Sequence, residues 1–228
     1  MSTQVSFIFD DGFKQSCLRI VDLFEARGLR ATFAVMADPS GFLDEFPKGD
    51  FVMWNEFQAR GHGIHPHGLD HSDLSAIPFE QATAKIDECF SRFGDQLEGF
   101  DPSATPYHLT YNRSTADVDR YLLERVRAIR TCGDGEPTDG LSHEGDLSRR
   151  TFGCTWHGPD YCDDHLLASL QHAEGSASPL FLYMMHGLDG EGWGPIRESG
   201  LQKALDFVEQ SDTLTYRPID NLTGGLKP

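Results

Sequence analysis

Short apolar runs rich in β-branched and aromatic residues alternate along the chain with longer stretches whose apolar positions recur at helical spacing. The runs predict strands over residues 5–9, 31–35, 63–65, 99–101, 128–132, 180–185 and 213–217. The stretches between them predict helices over residues 14–27, 51–60, 78–93, 115–127, 161–174 and 196–209. The third helix is the best signalled, because Pro78 suits a first turn and Phe79, Ala82, Ile86, Cys89 and Phe90 fall near one face. The second carries the least periodicity. Such alternation points to a mainly parallel sheet with helices packed outside it. Residues 133–150, rich in Gly, Asp and Ser, read as a long loop of the kind that serves as a lid or binding loop. No repeat or low-complexity segment divides the chain, so residues 1–220 are expected to form one domain and 221–228 a flexible tail.

Length and charge narrow the partners. A chain of 228 residues can bury one sizeable core. Its 36 acidic against 19 basic residues give a formal net charge of −17, which repels phosphate backbones and anionic membrane surfaces, so nucleic acid is not an expected partner. No window approaches the roughly 20 continuous apolar residues of a spanning helix, so stable membrane insertion is not expected. An oligomer is compatible with the composition. The N-terminus MSTQVSFIFDDG has no basic region and runs straight into a core strand, which leads to the expectation of a cytoplasmic protein. Cys17, Cys89, Cys132, Cys154 and Cys162 lack CxxC spacing and are expected as reduced, mostly buried thiols.

Two segments carry candidate chemistry. SFIFDDGF sets Asp10 and Asp11 directly after an apolar strand and before Gly12, which permits a tight turn. Catalytic side chains collect at such strand ends in parallel barrels, although a lone DDG would equally serve as a helix N-cap. GHGIHPHGLDHSDLS sets His67 and His71 four residues apart, a spacing that lets two imidazoles converge on one metal ion. With one carboxylate, for which Asp11 is the choice, they make a three-ligand site that leaves positions open for water and substrate. For any single histidine of this loop, polar surface is the plainer reading.

Taken in order, these segments resemble the polysaccharide deacetylase, or NodB-homology, family, known also as carbohydrate esterase family four. FDDG at residues 9–12 looks like its (T/S)FDDG motif, and HGLDH at 67–71 aligns with its H-(S/T)-x-x-H motif. ATFAV at 31–35 is similar to the family's second strand, and GHGI at 61–64 to the GHEI that approaches the histidine motif. DLSAIPFEQATAKIDECF is similar to the helix that follows, and FLYMMHG at 181–187 to the late strand ending in the catalytic histidine. The resemblance implies a distorted, TIM-like (β/α)7 barrel of the NodB-homology type. It further implies a divalent metal on Asp11, His67 and His71, usually zinc, with cobalt, nickel or manganese able to substitute. Asp10 would be the general base, His186 the general acid, and Tyr107 the source of an oxyanion-binding backbone N–H. The implied reaction is hydrolysis of an N-acyl group, foremost N-acetyl, from a small amino-sugar substrate; with no export signal read, a cytoplasmic precursor of a surface polysaccharide is the expected setting.

Two further family motifs are not clearly kept. The third motif, Arg-x-x-(Tyr/Phe), supplies an arginine that orients the base; FDPSATPYHLT keeps Pro106 and Tyr107 but has none, leaving Arg113 and Arg150 as candidates to replace it. The Asp-and-Trp element is also indistinct. FGCTWHGPDYCDD offers Trp156, His157 and Asp160 as pocket walls, and Trp193, on a Gly-rich loop beyond His186, offers another. Asp189 could hold the His186 imidazole or simply make an Asp-Gly turn. Two other functions fit the same residues less closely: an allantoinase-like amidohydrolase on a non-sugar amide or ureide, and a non-catalytic sugar-binding relative.

Overall fold

The first strand, β1 (Thr3–Asp10), is paired on both edges, and the rest of the architecture is arranged around it. The chain continues through α1 (Lys14–Glu25), β2 (Thr32–Val35), α2 (Phe51–Ala59), β3 (Gly63–Pro66), α3 (Phe79–Gln96), β4 (Pro106–His108) and α4 (Ala116–Leu123). It ends with β5 (Ala128–Arg130), β6 (Thr151–Phe152), α5 (Asp163–Glu174), β7 (Leu180–Met185), α6 (Glu198–Gln210), β8 (Leu214–Tyr216) and α7 (Ile219–Thr223). This is a computed structural model, and it describes residues 2–42, 45–132, 150–176 and 178–223.

Every pair of strands among the described residues is parallel. On one edge of β1, residues 4–9 pair with β7; on the other, residues 3–5 pair with β8 and 8–10 with β2, which in turn carries β3. A second sheet has the order β4-β5-β6. The two sheets meet at two seams of different construction. One is made of backbone: Thr155 N–H donates to Leu182 O at 3.0 Å and Met184 N–H to Thr155 O at 2.9 Å. The other, between β3 and β4, is made by side chains. His65 Nδ1 lies 2.9 Å from His108 Nε2, and His67 Nδ1 lies 2.9 Å from the carbonyl oxygen of His108. The expected α/β barrel architecture is thus present, with parallel sheets ringed by helices.

Alternation along the strands explains why they read as unbroken apolar runs. Ile8, Ala34, Ala128, Phe152, Leu182 and Met184 belong to one buried cluster, while Phe7, Phe9, Phe33, Phe181, Tyr183 and Met185 belong to another that includes the inward faces of the helices. Strands buried on both faces show no polar alternation. α1 contributes Ile20, Val21 and Phe24, and α3 contributes Ala82, Ile86, Cys89 and Phe93. Phe33 sits at the centre, its ring 5.9 Å from Phe9, 6.2 Å from Trp54 and 5.6 Å from Phe57.

Helices occur in all six expected places. Residues 99–101, expected as a strand, are not one: Gly99 has φ of 68° and the Asp101 carboxylate accepts from Ser103 N–H, starting a 3-10 turn at Pro102–Ala104. The strand follows at β4, where Pro106 is tolerated as a first residue. The two-residue β6 was not expected from the pattern, being too short to show a period. The loop expected over 133–150 lies outside the described residues except for Arg150, as do residues 224–228 of the expected tail; residues 219–223 form α7. All five cysteines are free, with Cys132 half-buried and the rest buried. No helix among the described residues is long and apolar enough to cross a membrane.

Because Phe33 touches aromatic rings from β1 and α2 at once, Phe33→Ala should destabilise the fold by about 3–5 kcal/mol, read as a lower urea midpoint.

Candidate active site and metal centre

β1 delivers both acids to one rim. Asp11 and Gly12 take φ values of 74° and 79°, which turn the chain out of the strand and into α1. Glycine is required at 12 on two counts, since a Cβ there would also come within 2.9 Å of the Trp54 ring. β3 ends one residue before His67, whose N–H donates to Val35 O at 2.8 Å, and His71 follows with φ of 59°. β7 ends one residue before His186. Asp10, Asp11, His67, His71 and His186 are thereby gathered around one cavity of about 610 Å³.

The distances separate two roles for the acids. Asp11 Oδ1 lies 3.3 Å from His71 Nε2 and 3.5 Å from His67 Nε2, and the three groups offer ligand atoms within 4.8 Å of one another. Asp10 Oδ2 is 3.5 Å from His67 Nε2, and His186 Nε2 is 3.9 Å from Asp11 Oδ2. Burial pushes the Asp11 carboxyl up, but His71, His186 and His67 beside it bring it down to about 2. Burial holds His67 at about 4, so its ring is neutral at neutral pH; Nδ1 donates to His108 O, which leaves the Nε2 lone pair facing Asp11. Asp11 Oδ1 is buried without a hydrogen-bond partner. A buried carboxylate oxygen with no hydrogen-bond partner, facing the His67 lone pair and within reach of His71 Nε2, makes with them a donor set that fits a metal ion.

Asp10 is held differently. Arg130, fully buried at the end of β5, donates from Nη1 to Asp10 Oδ1 at 2.8 Å and from Nη2 to Oδ2 at 2.5 Å, while its Nε donates to Asn112 Oδ1 at 2.8 Å. Burial raises the Asp10 carboxyl, yet Arg130 first, then His67 and His186, outweigh it and keep the group below its ordinary value. Neither arginine expected for this task performs it. Arg113 lines the cavity, and the Arg150 guanidinium donates to the carbonyls of Arg127 and Val126. The available signal for Arg130 was a charged residue inside a predicted core strand, which must meet an opposite charge once buried.

The remaining expected residues divide. Trp156 and Trp193 both line the cavity, and the Trp193 indole stands edge-on to His186 at 5.9 Å. The Trp193 loop is anchored by Glu191, whose carboxylate accepts from the N–H of Ser16 at 3.1 Å and from its hydroxyl, in the first turn of α1. The role expected for Tyr107 belongs to its backbone N–H; its side chain is buried against Phe90, at 5.8 Å. Tyr111, on the turn after β4, lines the cavity 4.7 Å from the His71 ring, and Phe42 stacks on that ring at 4.0 Å. His157 stacks on His165, Asp160 is exposed, and Asp189 accepts from Glu198 N–H at the start of α6, away from the His186 imidazole.

Replacing Arg130 strands a buried carboxylate. Arg130→Gln should destabilise the metal-free protein by about 3–5 kcal/mol at neutral pH in urea unfolding. The depressed Asp10 pKa contributes stability that is complete above its unfolded value, near 3.8, and lost as pH falls through the lower folded value. The gap between wild type and variant should therefore narrow in acid; a gap independent of pH would show that Arg130 acts by packing alone.

Residues 2–124 match the family model described as polysaccharide deacetylase. A probable peptidoglycan-N-acetylglucosamine deacetylase of Arthroderma benhamiae is 36% identical over 73 residues, an alignment that takes in 32% of this chain but only 16% of that relative. The chitin deacetylase of Colletotrichum lindemuthianum shares the fold with a TM-score of 0.67 at 16% identity, covering 100% of this chain and 90% of that one. A family 4 acetyl xylan esterase from Clostridium thermocellum, in complex with a cobalt ion, does so at 0.62 and 15%, covering 99% and 93%. With a family match over more than half its length and the DDG and histidine segments converging on one cavity, the chain belongs to the polysaccharide deacetylase family.

Proposed function

We propose that residues 1–220 act as one catalytic domain, a metal-dependent hydrolase that removes an N-acetyl group from an amino-sugar substrate. The observation that carries this reading is the bare Asp11 Oδ1 facing His67 and His71, beside an ionised Asp10 held by Arg130. Asp11, His67 and His71 would hold a divalent ion, foremost zinc, with cobalt, nickel or manganese as substitutes. When bound, the ion supplies Lewis acidity, acidifying a water and polarising the acyl carbonyl.

The chain's own groups do the rest. Asp10, ionised and next to the metal ligands, accepts the proton of the attacking water, and Arg130 fixes the direction from which it does so. His186, just past the end of β7, donates a proton to the departing amine. Trp156 and Trp193 offer apolar faces to a sugar ring, which favours a sugar over a simple ureide as the occupant of the cavity.

Acetate release from N-acetylglucosamine oligomers measures the reaction. Chelation should abolish release and added zinc restore it, and His186→Ala or Asp10→Asn should lower kcat by about 10²–10⁴-fold. Full activity in the chelated protein would rule out the metal mechanism.

A further inference from the structure

At the β3–β4 seam a line of hydrogen bonds runs from the last helix to His67. His65 Nε2 lies 2.7 Å from Asp220 Oδ1, on α7. The other nitrogen of the ring, Nδ1, lies 2.9 Å from His108 Nε2, and the two imidazoles stack at 5.1 Å with planes 15° apart. The main chain of His108 then accepts the Nδ1–H of His67. His65 and His108 are buried, and Asp220 is exposed at the end of the line. A carboxylate only accepts, so His65 Nε2 carries a proton and donates it to Asp220.

The chain has made room for this arrangement. A Cβ on Gly63 would come within 2.3 Å of the Asp220 carboxylate, so the glycine standing where the resembled GHEI motif has Glu is what lets Asp220 reach His65. The polar groups come from three separate elements, β3, β4 and α7, and burying them is unfavourable unless they satisfy one another. Among the described residues, β3 and β4 share no ladder that would set their relative position. The place of the His108 carbonyl relative to β3, and with it the direction of the His67 ring, is therefore set in part by the grip of His65 on His108, beside the bond from the Thr110 hydroxyl to Ser72 O.

We propose that Asp220 is a positioning residue for His67, acting through His65 and His108, and that α7 thereby supports the metal centre from outside the cavity. The proposal rests on the reading of Asp11, His67 and His71 as metal ligands. Partners that orient metal-bound histidines are typically worth about 10–100-fold in metal affinity.

The test is the zinc affinity of the full chain, measured by competition with a chromophoric chelator at a temperature where circular dichroism shows each variant folded. Asp220→Ala should weaken zinc binding by about 10–100-fold. Asp220→Asn, whose amide oxygen can still accept from His65 Nε2, should restore affinity to within a few-fold of wild type. His65→Phe, which keeps a ring but removes both bonds, should reproduce the Ala loss and serves if Asp220→Ala does not fold. Wild-type affinity in Asp220→Ala or His65→Phe, or an Asn variant as weak as Ala, would overturn the relay. Absence of zinc binding by the wild type would instead overturn the metal reading, and the relay with it.

Discussion

A guanidinium and a carboxylate, both removed from water, face each other with two parallel hydrogen bonds at the rim of the cavity. Desolvating either charge alone is severely unfavourable, and only the pairing of Arg130 with Asp10 makes the position tenable. The pair also resolves the conflict built into two adjacent acids. Like charges so close would push one of them to hold its proton. Arg130 takes up Asp10, while the imidazoles take up Asp11, and the neighbours are left ionised for different work. The same guanidinium reaches Asn112, whose own carbonyl accepts from Cys132 N–H, so the loops following β4 and β5 are tied to the rim of the cavity.

How much of this the sequence disclosed depended on range. Features set by neighbours along the chain were legible: the apolar runs of β1 and β7, the faces of α1 and α3, the strand-end position of Asp10 and Asp11, and the four-residue step from His67 to His71. Features set by register between distant strands were not. Nothing local to AIR says that residue 130 will face residue 10, because that follows from how the β4-β5-β6 sheet meets β1 and β7. Tyr111 went unread for a related reason: it lies on the turn after β4, and only the fold brings that turn to the cavity.

Trp193 stands on a loop held from two sides: Glu191 is set against the start of α1, and main-chain bonds join Gly194 N–H to Pro159 O and Cys162 N–H to Pro195 O. Helix starts carry unsatisfied N–H groups and favour an anion, so the loop borrows its anchorage from the helix that begins just after the DDG turn. The DDG turn and the Trp193 wall of the cavity are in this way linked through α1.

The unequal seams of the ring carry a different kind of consequence. Where the segment after β6 meets β7, closure is written in main-chain atoms, which every residue possesses, and substitution leaves it nearly unaltered. Where β3 meets β4, closure is written in imidazoles and a carboxylate, and single substitutions can tighten, loosen or re-angle it. A lineage carrying this fold thus has an adjustable joint directly behind a histidine of the cavity's rim, so the geometry there can drift, and be selected, while the residues lining the cavity stay the same.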